Sequence, residues 1–319
     1  PYTREAETDK KIAVVGAGPA GLACAHRLAR YGHEVTVFEA KPKAGGLNEY
    51  GLAAYKMPDN IAQREVDFIL SVGGINLETG KALGDELTLD QLRNDYDAVF
   101  LGLGLGAVNA LGLEGEEVDA IKDAVDYISD LRQADDLMSV AVGRRVIVIG
   151  GGNTAIDAAV QAKRLGADEV TLVYRRGPEQ MGATGFEQDL AQTNGVVIRH
   201  WAKPVAIKGE NGSAVEMTFE ATQLDGKGRL EGTGATFTLA ADQVFKAIGQ
   251  AFDAAPLQGG AAPEVSGGRI VIDETRRTSL GNVYAGGDCV AGQDLTVSAV
   301  EDGKVAAKAM HLELTKGTS

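Results

Sequence analysis

Cysteine is nearly absent: the 319 residues contain only Cys24 and Cys289, far apart in the chain. This excludes a disulfide framework, a CxxC redox pair and a cysteine set for an iron–sulfur cluster, and it suits a reducing cytoplasm. The four histidines, His26, His33, His200 and His311, show no metal-ligand spacing, and His26 and His33, on or beside the first expected helix, are expected at the surface. Basic residues are also in deficit, with 31 Lys and Arg against 45 Asp and Glu and a formal net charge of -14. A broad nucleic-acid surface is excluded on that balance, because phosphate binding needs concentrated positive charge. No run approaches the roughly 20 apolar residues that span a bilayer, and the opening PYTREAETDKK has no apolar signal core, so no membrane association is expected. Aromatic residues make up only 5% and include one tryptophan, so the 44% apolar content is largely aliphatic and alanine-rich. That composition suits helices packed on a parallel sheet.

Glycine is abundant, with 42 residues, and its placement carries the first functional signal. Residues 11–16, KIAVVG, form a short apolar run closed by glycine; AGPAGLACAHRLARYG then has helical periodicity, and EVTVFEA is a second strand. Within this βαβ unit Gly16, Gly18 and Gly21 form GxGxxG, with Glu39 about twenty residues on. Gly16 permits the tight turn, Gly18 lets the backbone approach a pyrophosphate and Gly21 lets helix and strand pack closely. The helix start around Pro19 and Ala20 offers unpaired N–H donors to phosphate. Glu39 can accept from an adenosine ribose, with Ala40 and Lys41 beside it.

The pattern recurs in RVIVIGGGNTAIDAAVQAKRLGADEVTLVYRR, residues 145–176, where Gly150, Gly152 and Ala155 form GxGxxA around Gly151. Here the second strand ends in Arg175 and Arg176 where the first ends in Glu39. Guanidinium groups suit a ribose 2′-phosphate and leave no acid for a free 2′-hydroxyl, so NADPH is expected over NADH. A solvated turn, or a clamp on pyrophosphate or adenine, is the alternative role for these arginines.

Two dinucleotide units of opposite end-charge point to a flavoprotein, with FAD in the first and NADPH or NADH in the second. The tail agrees: NVYAGGDCVAGQDLTVSAVEDGKVAAKAMH reads as a strand ending at Gly286, Gly287 and Asp288, then a loop and a helix from about Thr296. Asp288 is expected to accept from the ribityl chain, and the helix start at Leu295, Thr296 and Val297 to point N–H donors at the flavin O2 and N1 edge. DYDAVFLGLG, ending at Gly104, and DQVFKAIGQ are apolar runs that carry the chain between domains, and residues from about 197 to 240, with turn signals ENGS and DGKG, read as an antiparallel meander. The expected fold is α/β, two Rossmann-like domains with the second inserted into the first: residues 1–108 and 248–319 bind FAD, and residues 109–247 bind NAD(P).

GAGPAGLACAHRLARYGHEVTVFEA, KAGGLNEYGLAAYK, GGGNTAIDAA, VYRRG and AGGDC together resemble the flavoprotein family typified by the glutamate synthase small subunit. Within that family they look closest to the NAD(P)H-oxidising subunits of bacterial dihydropyrimidine dehydrogenases, over nearly the whole chain. The resemblance implies that NAD(P)H reduces FAD and that electrons pass through iron–sulfur clusters to an FMN-bearing partner subunit, where uracil or thymine is reduced. It also implies that Gly46, Leu47 and Lys56 lie against FAD and that Leu83 lines its adenosine end. Asn153, Thr154, Arg175 and Arg176 would hold the nicotinamide dinucleotide, bordered by Ala247, Ile248 and Gly249. Two departures stand out. Relatives carry an N-terminal iron–sulfur domain, whereas this sequence begins about ten residues before the first FAD strand, so an excised module or a shortened relative is expected; the electron path that the resemblance implies calls for an electron-accepting partner subunit or iron–sulfur protein. Gly182 also stands where NADPH-using relatives can carry a basic residue.

The same plan serves disulfide reductases of the thioredoxin-reductase type, but those need a vicinal cysteine pair that Cys24 and Cys289 do not make. A glutamate synthase small subunit differs mainly in the partner it feeds. A nucleotide-binding redox sensor is the non-enzymatic alternative. Hydride transfer from nicotinamide to flavin needs no protein acid, base or nucleophile, and none is assigned.

Overall fold

The computed structural model describes residues 2–84, 86–209 and 215–316. The chain divides into two compact units, one made of Pro1–Glu49, Met57–Ala107 and Gln250–Ser319, the other of Tyr50–Lys56 and Val108–Gly249.

In the first unit the strand Lys11–Val15 is central to a five-stranded parallel sheet. Ala98–Leu101 and then Val283–Ala285 lie on one side of it, Glu34–Glu39 and then Ile75–Thr79 on the other. Its alternation serves two cores, as expected of a strand covered on both faces. Ile12 and Val14 pack with the helix Pro19–Arg30 and the closing helix Thr296–Thr315, while Ala13 and Val15 pack with Leu89, Leu92 and Leu257 on the other face. The two helices approach closely because their contact is built from small residues. A Cβ on Gly303 would run into the Ala20 carbonyl and the Cys24 amide, and Ala299, Ala306 and Ala307 continue the seam. Cys24 is fully buried there, its thiol pushed well above the usual range by burial, so it acts as a small apolar residue.

His33 corrects an expectation. It is fully buried, with Nδ1 2.5 Å from Thr8 Oγ1 and Nε2 3.0 Å from His311 Nδ1, and Tyr31 stacks on His311 at 4.2 Å between ring centroids. His26 is half-buried, edge-on to Tyr2. Burial first, then the facing His311, lower the His33 pKa to about 4; Lys10 and Arg4 add to this and Asp97 opposes it. The unfolded chain would take up a proton near 6.5, so the stability from neutral His33 is complete above that pH and is lost as pH falls towards about 4. The slope contributed in that window is at most about 1.4 kcal/mol per pH unit. Thermal melts followed by far-UV circular dichroism between these limits should steepen with acid in the parent and flatten in His33→Gln; equal slopes would remove His33 as the cause.

The second unit has its own five-stranded parallel sheet, in the spatial order Ile121–Asp123, Gln243–Lys246, Arg145–Ile149, Glu169–Val173, Val197–Arg199. Helices Ala124–Gln133, Asn153–Arg164 and Gly185–Thr193 accompany it. A separate antiparallel sheet follows, Ala202–Gly209, Val215–Leu224 and Leu230–Ala241. The DGKG turn between its last two strands is tied by Asp225, whose carboxylate accepts from Lys227 N and Arg229 N, each at 2.8 Å. The ENGS signal lies outside the described residues.

Two boundaries differ from the sequence expectation. Val197–Arg199 is the edge strand of the parallel sheet, pairing Arg199 with Val173, so the meander begins at Ala202. Tyr50–Lys56, placed with the first domain on sequence order, packs with the second unit. Its local pattern gives no sign of this, because its partners are side chains about a hundred residues further along, described below. Among the described residues no helix is long and apolar enough to cross a membrane.

Candidate functional site

In the first unit the GxGxxG turn is dictated by backbone contacts. A Cβ on Gly16, whose φ is +96°, would run into the Gly102 carbonyl, and one on Gly21 into the carbonyl of Gly16. Gly18 faces only the Cα of Gly46, at 3.8 Å from a would-be Cβ, and it caps the helix Pro19–Arg30 without a side-chain hydrogen bond. The helix start is thus open to a ligand that accepts hydrogen bonds. Glu39, 8% exposed at the end of the second strand, accepts Ala17 N at Oε2 and Lys41 N at Oε1, both at 2.8 Å. These bonds fix its carboxylate and leave acceptor capacity for ribose hydroxyls. Ala40, Lys41 and Leu47 are exposed around this turn, and Gly104, with φ +63°, has open space where its Cβ would be. Leu83 is buried among Phe38, Leu89 and Leu257, so it serves the core.

The Gly286–Gly287–Asp288 turn lies beyond the strand Val283–Ala285 in the same unit. Asp302 on the closing helix accepts Gly287 N at 2.9 Å and pairs with Arg276 Nε at 2.8 Å; Gly287 has φ +76°. A Cβ on Gly286 would sit 2.7 Å from that of Asp302, which explains the glycine. Arg269 donates to the Asp288 carbonyl. The half-buried Asp288 carboxylate itself makes no hydrogen bond or ion pair among the described residues. Burial and then Asp294 raise its pKa above the ordinary carboxylate range, with Asp302 adding and Arg269 opposing. The closing helix starts at Leu295 without a side-chain cap, and Leu295 and Val297 are exposed beside it. An unpartnered carboxylate, an open helix start and exposed apolar side chains in one unit fit a polyol-linked aromatic ring. Asp288→Ala is expected to weaken FAD retention by roughly 1 to 3 kcal/mol, the cost of a lost buried hydrogen-bond partner. Titration of FAD into stripped protein checks it; unchanged affinity would move the ribityl contact elsewhere.

The second glycine turn is built likewise. Gly150, φ +148°, would meet the Ala247 carbonyl with a Cβ, and Gly151 would meet the Tyr174 ring. Gly152 has open space at that position and caps the helix Asn153–Arg164 without a side-chain bond. Asn153 is exposed and Thr154 half-buried on the first turn. Arg175 is exposed and Arg176 half-buried, and among the described residues neither guanidinium forms a hydrogen bond or ion pair. Gly182 comes close to this turn, its would-be Cβ 3.8 Å from the Gly152 Cα. Asn109 N donates to the Gly249 carbonyl at 3.1 Å, and its side chain donates to Ile248 and Gly249, so the chain's entry to the unit is laced to its exit.

Lys56, which the resemblance sets against FAD, is held in an ion-pair cluster. Its ammonium pairs with Asp157 Oδ1 at 2.7 Å and Glu187 Oε1 at 3.0 Å, both in the second unit. Tyr55 OH also donates to Asp157, at 2.8 Å, and Arg164 lies over the Tyr55 ring at 4.6 Å. Burial alone would lower the Lys56 pKa, but its bonds to Asp157 and Glu187 outweigh that and raise it. This cluster escaped sequence reasoning, and Asp157 in the helical segment NTAIDAA was the available signal: a buried-face aspartate needs a cation.

Residues 10–303 match the pyridine nucleotide-disulphide oxidoreductase family. The chain is 38% identical over 99% of its length to the beta subunit of an NADP(+)-dependent formate dehydrogenase from Moorella thermoacetica, of which it covers 46%. It is 35% identical over 94% of its length to the glutamate synthase [NADPH] small chain of Escherichia coli, covering 68% of that protein. It is 32% identical over its full length to the NAD-dependent dihydropyrimidine dehydrogenase subunit PreT of Salmonella typhimurium, covering 72%. The chain thus spans about half to three-quarters of these relatives' lengths. Among solved structures, Mycobacterium tuberculosis FprA in complex with NADPH superposes with a TM-score of 0.78 at 21% identity, over 98% of this chain and 86% of that one. The shared architecture is the α/β fold with parallel sheets.

Proposed function

The chain belongs to the pyridine nucleotide-disulphide oxidoreductase family, and from that premise we propose that it is the electron-entry flavoprotein of a larger enzyme, feeding a partner that reduces uracil or thymine. It is an NAD(P)H-dependent FAD oxidoreductase. One observation carries the division of labour: two glycine turns of the same design end in opposite charge, a buried, backbone-held carboxylate at Glu39 and guanidinium groups at Arg175 and Arg176 that are unpaired among the described residues. The carboxylate suits the ribose hydroxyls of FAD; the guanidinium groups suit an NADPH 2′-phosphate.

When bound, FAD supplies a ring nitrogen that accepts hydride from the nicotinamide C4. The residues of the chain orient and tune. The helix starts at Pro19 and Asn153, which have no side-chain cap, would present N–H donors to the two pyrophosphates. Asp288 would hold the ribityl chain, and the uncapped start of the closing helix at Thr296 would favour negative charge on the bound ring. Support for a pyrimidine-reducing partner comes from the motif resemblance and the full-length match to the dihydropyrimidine dehydrogenase subunit. A glutamate synthase partner is the second reading, favoured by the match to an NADPH-using small chain.

Anaerobic mixing with NADPH should bleach the flavin rapidly, and the chain should reduce artificial dyes. It should not reduce uracil or thymine alone, since two buried cysteines cannot build a cluster path to a second flavin. Adding an FMN- and cluster-bearing pyrimidine-reducing subunit should restore that activity; restoration only by a glutamate synthase large subunit would favour the second reading. Pyrimidine reduction by the chain alone would overturn the proposal, and a flavin that NADPH does not bleach would point to a sensor.

A further inference from the structure

We propose that Thr222, in the antiparallel sheet of the second unit, and Trp201, just before its first strand, are positioning residues that set discrimination between NADPH and NADH by holding the backbone of the arginine turn. The inference rests on the assignment of Arg175 and Arg176 to the 2′-phosphate.

Three consecutive carbonyls of this turn are bound from the sheet and its lead-in. The Tyr174 carbonyl accepts Ala202 N at 3.1 Å, that of Arg175 accepts Thr222 Oγ1 at 2.8 Å, and that of Arg176 accepts Trp201 N at 3.1 Å. Trp201 also accepts Thr222 N at 2.8 Å, so the two residues brace each other. The brace carries strain: Trp201 has φ +60°, a left-handed conformation rarely taken by a bulky side chain. Its indole packs so closely under Gly177 that a Cβ there would lie 2.7 Å from the ring, which accounts for the glycine after the arginines. The strand pairing shifts register between Glu220 and Thr222, and such irregularities re-aim a side chain. Thr222 is only 5% exposed, and its hydroxyl is spent on a main-chain carbonyl.

The bonds to the carbonyls fix the Cα positions from which the two guanidinium groups, unpaired among the described residues, reach. Charge-assisted bonds to phosphate are narrow in geometry, so a small shift of this backbone weakens them. NADH has no 2′-phosphate and should be nearly indifferent to the same shift.

The test uses the flavin-loaded full chain and two probes, 2′,5′-ADP and 5′-AMP, titrated by calorimetry, with KM for NADPH and NADH measured alongside. Trp201 is the sole tryptophan, so its emission reports the same turn. Thr222→Val, which keeps shape and removes the hydroxyl, should weaken 2′,5′-ADP binding about three- to tenfold, the range of one lost hydrogen bond. It should raise the KM for NADPH by a similar factor and leave 5′-AMP and NADH within about twofold. Thr222→Ser should restore the parent values, and Thr222→Ala repeats the deletion if valine disturbs folding. A parent that prefers 2′,5′-ADP while the hydroxyl-less variants keep that preference would overturn the positioning role and leave the clamp intact. Equal loss for both probes would likewise overturn it, as general damage to the turn. A parent that binds both probes alike would remove the 2′-phosphate clamp itself, and the positioning role with it.

Discussion

Replacing Lys56 with alanine is expected to destabilise the second unit by about 3 kcal/mol, the lower part of the range for breaking a buried ion pair from one side. The size follows from what is left behind. Asp157 is 1% exposed on the helix Asn153–Arg164, and without the ammonium its carboxylate keeps, among the described residues, only the Tyr55 hydroxyl as a direct partner. Glu187 loses the same cation. The remaining Tyr55 bond and partial access of water place the cost below the upper limit. Trp201, the only tryptophan, lies in the second unit, so urea unfolding followed by its emission reports that unit. Lys56→Ala should lower the midpoint, and Asp157→Asn should recover part of the loss in the Lys56→Ala background, because it removes the stranded charge. A midpoint unchanged by Lys56→Ala would show the pair to be solvent-screened. FAD retention in the same variant should stay near the parent value; a large loss would return Lys56 to the flavin.

Lys56 also marks where sequence reasoning runs out. The glycines at 16, 18, 21, 150 and 152 were legible because each answers a local demand: a positive φ, a carbonyl in the way of a Cβ, or a helix start that must stay open. Glu39 and Arg175–Arg176 were legible by their position at strand ends, and Asp288 by its place after a strand closed by two glycines. What could not be read were contacts between distant residues that leave no local period. His33 looks like a turn residue after Gly32, and only the fold brings His311, 278 positions away, to its ring. Tyr50–Lys56 looks like a continuation of the first unit until Asp157, Gln161 and Glu187 are seen to take its tyrosine, backbone and lysine. Val197–Arg199 is too short to announce whether it pairs parallel or antiparallel, and its pairing with Thr171–Val173 decides the matter.

Loss of both arginines should produce the largest functional change in the chain. If Arg175 and Arg176 grip the 2′-phosphate, each contributes charge-assisted hydrogen bonds that a free hydroxyl cannot replace, at about 1.5 to 3 kcal/mol apiece. Arg175→Ala and Arg176→Ala should each lower kcat/KM for NADPH roughly ten- to a hundredfold, and the double variant more than a hundredfold. The exposure of Arg175 and the glycine at 182, which adds no further cation, favour the lower end for each single change. NADH should barely respond, so the double variant should have lost or reversed the parent's preference. Salt provides a second, independent reading: exposed charge contacts are screened, so raising ionic strength should narrow the parent's preference and leave the double variant's nearly flat. The measurement is kcat/KM for both cofactors in the parent and three variants, at low and high salt, with flavin content equalised. A joint fall for NADPH and NADH would place the arginines on the pyrophosphate or adenine shared by both cofactors. The second site would then accept NADH and NADPH alike, and the opposite charges at the two strand ends would distinguish the two dinucleotide sites without selecting a phosphate.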